Sequence, residues 1–434
     1  MGAQGGRSSL DRAHCPPRLA AQALLGFTIL TGCAGAAWGD SLLPVKQVSV
    51  ANRPRPEYEP MGVRMGSMRI SPSLSVGESY NDNIFAEHKP MLSDKITTAE
   101  GSVSLSSETR IPWSVFGNVT TEKYADHSSE DHSDWSGGAS ISQIFWRRTR
   151  ATLSGTLAQA HTARDDASFP ADAAELPILN THNVKLDFVH PFASGQLSLS
   201  TYLESNDYED AKLVGGGKFD QDFRDRHVWN IDARTDFAVG ATTALFVRLS
   251  HGEQRYRNND DAAGLDRDAT NDAVYGGTAF MISNLMRADV GVGVLRVDNE
   301  DPSQKDRTSL ALAGNLEFYM SQLMTATLEL RRSSGAADIE GSSSFIATTG
   351  SVGLDYELRR NVILSLSYSR SQRDYSGLND TDDMTDYAFS AKWFLNRRAR
   401  VSLQLAHDDQ DWDASSPGTQ FKQNVYSLTF DFTL

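Results

Sequence analysis

The last eleven residues, Asn424 to Leu434, read NVYSLTFDFTL. Tyr426, Leu428, Phe430, Phe432 and Leu434 fall on one parity; Ser427, Thr429, Asp431 and Thr433 fall on the other. Successive side chains of a strand point to opposite faces, so this period of two describes a strand with one apolar and one polar face. The same period recurs upstream in GQLSLSTYLES (195–205), TSLALAGNLEFYM (308–320), VILSLSYSR (362–370) and RVSLQLAHD (400–408).

Cutting the chain at its turn signals gives about eighteen such segments of roughly 10 to 14 residues, from 68–80 and 95–107 through 399–412 and 421–434; sixteen stays open. Connectors alternate. Short ones, such as Arg147-Arg148, Arg359-Arg360-Asn361 and 190–194, follow even segments; longer acidic ones (126–133, 163–178, 209–224, 257–269, 299–306, 376–383) follow odd segments. That alternation predicts an all-β, up-and-down antiparallel transmembrane barrel with short periplasmic turns on one rim and long extracellular loops on the other. Two of those loops, 163–178 and 209–224, are long enough to fold inward and constrict it. The composition agrees: only 39% of the 434 residues are hydrophobic and mean hydropathy is -0.40, as expected when alternate residues alone face lipid.

A charge at the bilayer midplane of a barrel costs about 2–4 kcal/mol, so the apolar parity is assigned to lipid and the polar parity to the lumen. The inward charges are Lys185, Asp187, Glu204, Asp232, Arg234, Arg248, Glu317, Glu329, Arg331, Asp355, Lys392 and Asp431. As a set they line a candidate solute path; singly, each is no more than a wide polar lumen requires. Aromatics near segment ends predict two interfacial girdles: Tyr80, Tyr208, Tyr256 and Tyr375 towards the long loops, Trp146, Phe237, Phe318 and Trp393 towards the short turns.

The N-terminus reads as an export signal. Arg7, Arg12 and Arg18 precede an apolar stretch, 19–30, and then small residues, which is the pattern of a secretory leader spanning 1–39. Cleavage after Gly39 competes with lipidation at Cys33. Cys15 and Cys33 both lie in the leader, so the mature chain has no thiol. The leader carries a net +2, and its removal takes the formal charge from -15 to -17, which argues against nucleic-acid binding. Residues 40–66, with Pro44, Pro54, Pro56 and Pro60, read as an extended periplasmic segment ahead of a barrel at 67–434, too short to resemble a plug domain.

The closing strand resembles the C-terminal signature by which outer-membrane proteins are recognised by the barrel-assembly machinery, with Leu434 where Phe is commoner. The stretch ISPSLSVGESYNDNIF (70–85) resembles the opening strand of the putative beta-barrel porin 2 family through Pro72, Leu74, Val76, Glu78, Tyr80, Asp82, Asn83, Ile84 and Phe85. That family accompanies exopolysaccharide gene clusters. The resemblance implies an outer-membrane channel for exopolysaccharide export, in contact with outer-membrane lipid and lipopolysaccharide and with polysaccharide export proteins. A general or sugar-selective diffusion porin and a structural or adhesive barrel with a closed lumen are the alternatives.

No enzyme, cofactor or metal is expected. Asp126-His127, Asp131-His132 and His407-Asp408 suggest a barrel hydrolase, yet chain neighbours in a strand diverge and cannot easily share the hydrogen bond of a general base. The acidic runs at 258–261, 379–383 and 408–413 lack EF-hand spacing and read as solvated loop tips. Asn81-Asp82-Asn83 reads as the boundary where the first strand meets water.

Overall fold

The computed structural model describes residues 43, 47–107, 109–146, 148–166, 169–170, 172–258, 264–378, 381–412 and 420–434. The leader and its two processing routes, Arg147, Asn259-Asp260-Asp261, Asn379-Asp380 and Asp413 lie outside the described residues.

In chain order the strands are β1 (Val63–Met65), β2 (Met68–Asn81), β3 (Asp94–Ser107), β4 (Trp113–Tyr124), β5 (His132–Phe145), β6 (Thr149–His161), β7 (Ile178–Phe192), β8 (Gly195–Tyr208), β9 (Ala211–Lys212), β10 (Lys218–Phe219), β11 (Arg226–Ala238), β12 (Thr243–Tyr256), β13 (Ala269–Ile282), β14 (Met286–Asn299), β15 (Arg307–Ser321), β16 (Met324–Ala336), β17 (Ser344–Arg359), β18 (Val362–Tyr375), β19 (Thr381–Phe394), β20 (Ala399–Trp412) and β21 (Phe421–Thr433). β9 and β10 form a small ribbon on a long loop, and β1 folds back on the start of β2. The other 18 strands, each of 12 to 16 residues, pair antiparallel with their neighbours, and β2 pairs with β21 to close the ring. Closure leaves no sheet edge within the wall, which hydrocarbon would punish. No described helix is long and apolar enough to cross a membrane; this barrel crosses with strands.

The faces follow the parity of the sequence. Leu74, Val76, Leu197, Leu199, Leu245, Val247, Val292, Leu310, Leu428 and Phe430 stand exposed on the outside. The girdles are half as expected. Trp146, Phe237, Phe318 and Trp393 are exposed at the short-turn rim, and Tyr80 is exposed beside Tyr426, its partner across the seam, with ring centroids 6.4 Å apart. Tyr208, Tyr256 and Tyr375 instead point inward and are buried. Each shares the parity of the polar residues of its strand (Tyr208 with Glu204, Tyr256 with Arg248), so the pleat turns it away from lipid.

The tripeptide Asn81-Asp82-Asn83 is more than a boundary, because it clasps the seam. The Asn424 backbone N–H donates to Asp82 Oδ1 at 2.7 Å and the Asn424 amide to Asp82 Oδ2 at 2.6 Å. Asn83 Nδ2 donates to the Lys422 carbonyl at 2.9 Å, and Asn81 Nδ2 to Gln423 Oε1 at 3.2 Å. Hydrogen bonds to a charged group contribute about 1.5–3 kcal/mol each.

Two segments leave the expected plan. Residues 47–62 do not float free of the barrel, because they lie in its short-turn mouth. Val50 is fully buried and its N–H donates to Thr325 Oγ1 at 3.1 Å; Tyr319 Oη donates to the Gln47 carbonyl at 3.2 Å; Arg55 stands over the Phe394 ring and reaches Glu357 at 3.2 Å. At the opposite mouth the β16–β17 hairpin peels inward. β15 pairs with β16 only as far as Leu312↔Arg332, whereas β16 and β17 stay paired up to Ala336↔Ser344. Above the gap Arg307 of β15 reaches Asp374 of β18 directly at 2.5 Å.

Candidate functional site

Within the lumen the wall of β12–β15 is covered. Phe246, Ala273, Tyr275, Leu295, Val297, Ala311 and Ala313 pack with Ile346 of the inturned hairpin into one buried apolar cluster. Phe246 lies over Gly277 and Gly291, where a β-carbon would sit 2.3 and 3.0 Å from its ring, so only glycine admits the aromatic there. Above Phe246, at 3.8 Å, sits the Arg234 guanidinium, paired with Asp236 at 2.8 Å and Asp289 at 2.7 Å.

The hairpin tip leans over the long-loop mouth and is held by polar contacts to β11–β13 and the loops above them. Gln254 Nε2 donates to the Ser343 carbonyl at 2.7 Å, Tyr256 Oη to the Ala337 carbonyl at 2.8 Å and Arg267 Nε to the Ser342 carbonyl at 3.2 Å. Arg226 pairs with Asp338. The loop 162–177 enters from the other side. Its Asp166 pairs at 3.3 Å with the fully buried Arg224, itself stacked 3.9 Å over Tyr208, and Arg164 holds Glu130 at 2.7 Å. Of the two loops expected to constrict the barrel, 163–178 reaches in through Arg164, Asp165 and Asp166, and 209–224 contributes Arg224.

Asp165, beside Asp166, lies in the field of Asp408 and Arg373. Burial first, then repulsion from Asp166 and Asp408, pushes its carboxyl from 3.8 up to about 6. A carboxyl raised on seating favours the seated loop in its protonated form: that contribution is full below pH 3.8 and is lost as pH rises through about 6. Amide protection across 162–166, corrected for intrinsic exchange, is therefore expected to rise as pH falls from 7 to 5. Asp165→Asn should show the higher protection already at pH 7; a pH-independent wild-type loop would contradict this.

All twelve charges assigned to the lumen take inward parity, but they are not one cluster. Ten are satisfied locally: Lys185 with Asp187 at 3.0 Å, Arg248 with Asp232 at 2.7 Å, Arg234 as above, Glu204 with Tyr202 and Asn206, Glu317 with Tyr319, Glu329 with Asn315, Asp355 with Ser365 and Asp431 with Arg400 at 2.8 Å. Arg331 and Lys392 make no ion pair among the described residues. Arg331, Lys185, Arg248, Asp232 and Tyr202 line a cavity of about 100 Å³ beneath the hairpin.

The candidate site residues were charges alone, and the structure adds hydroxyls to them. Across β2–β6 and β17–β18 inward serines and threonines pair from strand to strand: Ser73 with Ser102 at 2.5 Å, Ser114 with Ser140 at 2.8 Å, Ser142 with Thr152 at 2.6 Å and Thr349 with Ser371 at 3.0 Å. Ser367 of β18 and Glu329 of β16 face inward and are exposed, and the paired hydroxyls of β2–β6 are half-buried, so this side of the lumen is more accessible to water than the β12–β15 wall. The signal was present as inward runs such as Ser71, Ser73, Ser75 and Ser365, Ser367, Ser369, Ser371.

The adjacent Asp-His pairs are not couples. His127 Nδ1 meets Asp94 Oδ2 at 2.9 Å, Asp131 accepts from the Tyr124 N–H and Lys123, and His407 meets Asn424. The run at 408–413 is partly neutralised, Lys422 holding Asp409 at 2.7 Å and Gln423 donating to Asp408 at 3.0 Å. Among the described residues one carboxylate triple has metal-ligand spacing, Asp210, Asp220 and Asp222, which the sequence had not singled out; Lys218 already reaches Asp210 at 3.4 Å.

A closed antiparallel barrel with an apolar outer belt, an aromatic short-turn rim and a polar lumen is a porin-like β-barrel of the outer-membrane type. The chain belongs to the family described as putative beta-barrel porin 2, whose model matches residues 55–433. No curated protein matches it. Among solved structures it is similar to the siderophore receptor PirA of Acinetobacter baumannii (7% identity, 84% of this chain and 80% of that chain, TM-score 0.49). It is also similar to PirA of Pseudomonas aeruginosa (10% identity, 90% of both chains, TM-score 0.47) and to Pseudomonas aeruginosa OpdK crystallised with vanillate (11% identity, 84% of this chain and 99% of that chain, TM-score 0.48).

Proposed function

We propose that the barrel is the outer-membrane passage of an exopolysaccharide, exported by a cleaved leader, inserted by the barrel-assembly machinery and working with polysaccharide export proteins rather than as an enzyme. The observation that carries this reading is the hydroxyl-paired side of the lumen, half-buried along β2–β6 and exposed at Ser367. Serine and threonine hydroxyls donate and accept in turn, so they exchange hydrogen bonds with the hydroxyls of a passing glycan without holding it by charge. Six of the twelve lumen charges are ion-paired and four more carboxylates accept hydrogen bonds from neutral neighbours, so the wall offers few free cations to trap an acidic polymer.

A diffusion porin fits less well, since both mouths are occupied by the chain's own segments. That occupancy also favours a second reading, a barrel whose lumen stays closed. Planar-bilayer recordings with neutral and acidic oligosaccharides separate the readings. The export reading expects little resting current, and current that oligosaccharide modulates once the mouths are cleared. Steady ion flow from the untreated protein would indicate a porin, and no current under any condition a closed barrel. Glycosyltransferase genes beside this one would support export.

A further inference from the structure

The inward segment at the short-turn mouth is attached differently from everything else in the barrel. Residues 47–61 make no ladder with any wall strand; the ladder begins at Val63↔Ile70 in β1. The segment is held by side chains at scattered points. Arg53 and Arg55 both reach Glu357 Oε2, at 3.3 and 3.2 Å, and Arg55 Nη2 also donates to the Val50 carbonyl at 2.8 Å. Tyr58 and Arg55 share the Phe394 ring, and Glu57 faces Arg360 of a short turn at 3.7 Å. These contacts follow consecutive wall strands from β15 to β19, so the segment lies inside the mouth along one arc of the rim.

Its root is fixed. The Gly62 N–H donates to the Leu434 carbonyl at 3.0 Å, and Gly62 adopts φ +66°, where a β-carbon would sit 2.8 Å from the Ile70 carbonyl oxygen. The segment therefore turns sharply at one glycine that is pinned to the rim. Glu357 is a single carboxylate serving two guanidinium groups, one of them on the buried Arg55, and removing one partner of such a set leaves an uncompensated buried charge.

We propose that residues 47–61 form a hinged gate over the short-turn mouth, latched by Arg53 and Arg55 on Glu357 and pivoting at Gly62. The proposal rests on the conduit reading, since a gate implies a passage behind it. Closure comes from side-chain contacts, so the gate swings without breaking the barrel wall. The latch residues sit on the rim that receives material from the periplasm, where an arriving cargo or export protein can compete for them.

The test places one reactive thiol behind the gate. Thr327→Cys faces the lumen two residues from Thr325, the residue that caps Val50. In proteoliposomes with the short-turn rim facing the bath, a disaccharide-sized charged maleimide should label it about tenfold faster, or more, when Glu357→Gln is added or residues 47–61 are deleted. Heat-modifiable migration verifies that each variant is a folded barrel. Equal labelling rates in all three chains overturn the gate, and acceleration by the deletion alone overturns the latch. If labelling accelerates but a chain lacking both 47–61 and 337–343 passes no current, residues 47–61 are a latched, movable flap with no passage behind it, and the conduit reading falls. Current without accelerated labelling overturns the gate alone.

Discussion

A chain lacking both residues 47–61 and the hairpin tip 337–343 is expected to carry more current across a planar bilayer than the two single deletions added together. The two obstructions stand at opposite mouths: Val50 against Thr325 at the short-turn end, Ser343 and Ala337 against Gln254 and Tyr256 at the long-loop end. Obstructions in series behave as resistances in series, so removing one leaves the other in control. Removing the tip also deletes Asp338 from Arg226 and three carbonyls from Gln254, Tyr256 and Arg267, groups that water can solvate once the mouth opens. Replacing the tip by a short glycine turn keeps β16 and β17 paired. Currents that simply add would place the two blocks on separate routes.

Arg234→Ala is expected to destabilise the barrel by about 3–5 kcal/mol, read from urea unfolding in lipid vesicles. Asp236 and Asp289 would be left as adjacent buried carboxylates with their shared cation removed. Phe246 would lose the guanidinium that covers it at 3.8 Å above the paired glycines of β13 and β14. The informative control replaces all three charged groups, Arg234→Met with Asp236→Leu and Asp289→Leu. A well-packed apolar set of similar volume is often neutral or stabilising relative to a buried ion cluster. Recovery in the triple variant assigns the loss to the orphaned acids; failure to recover assigns it to the stacking on Phe246.

Most of the wall was legible because period two is a strong signal once the turns are marked. Segments drawn at 68–80, 95–107, 399–412 and 421–434 match β2, β3, β20 and β21 to within one residue at each end. What escaped is what period two does not encode. Phe345-Ile346-Ala347 is apolar on both parities, an interruption that marks a strand leaving the lipid wall to be covered on both faces. Residues 47–62 showed nothing, because their partners Tyr319, Thr325 and Glu357 lie more than 250 positions away. Parity puts charges and serines alike on the inward face, yet it does not say which hydroxyls bond to each other across strands. The buried tyrosines were misassigned because nearness to a strand end was weighed above the parity that decides lipid or lumen.

The clasp at Asp82 joins residues 342 positions apart, and it holds β2 to β21, the strands that begin and end the ring. A closed ring cannot be approximated by its parts. Any fragment without β21 leaves a row of backbone N–H and C=O groups on β2 and β20 facing hydrocarbon, at several kcal/mol for each unpaired group. Insertion is thereby tied to completion of synthesis. The seam thus makes the last strand a condition for closure, and copies that lack β21 are expected to stay outside the membrane.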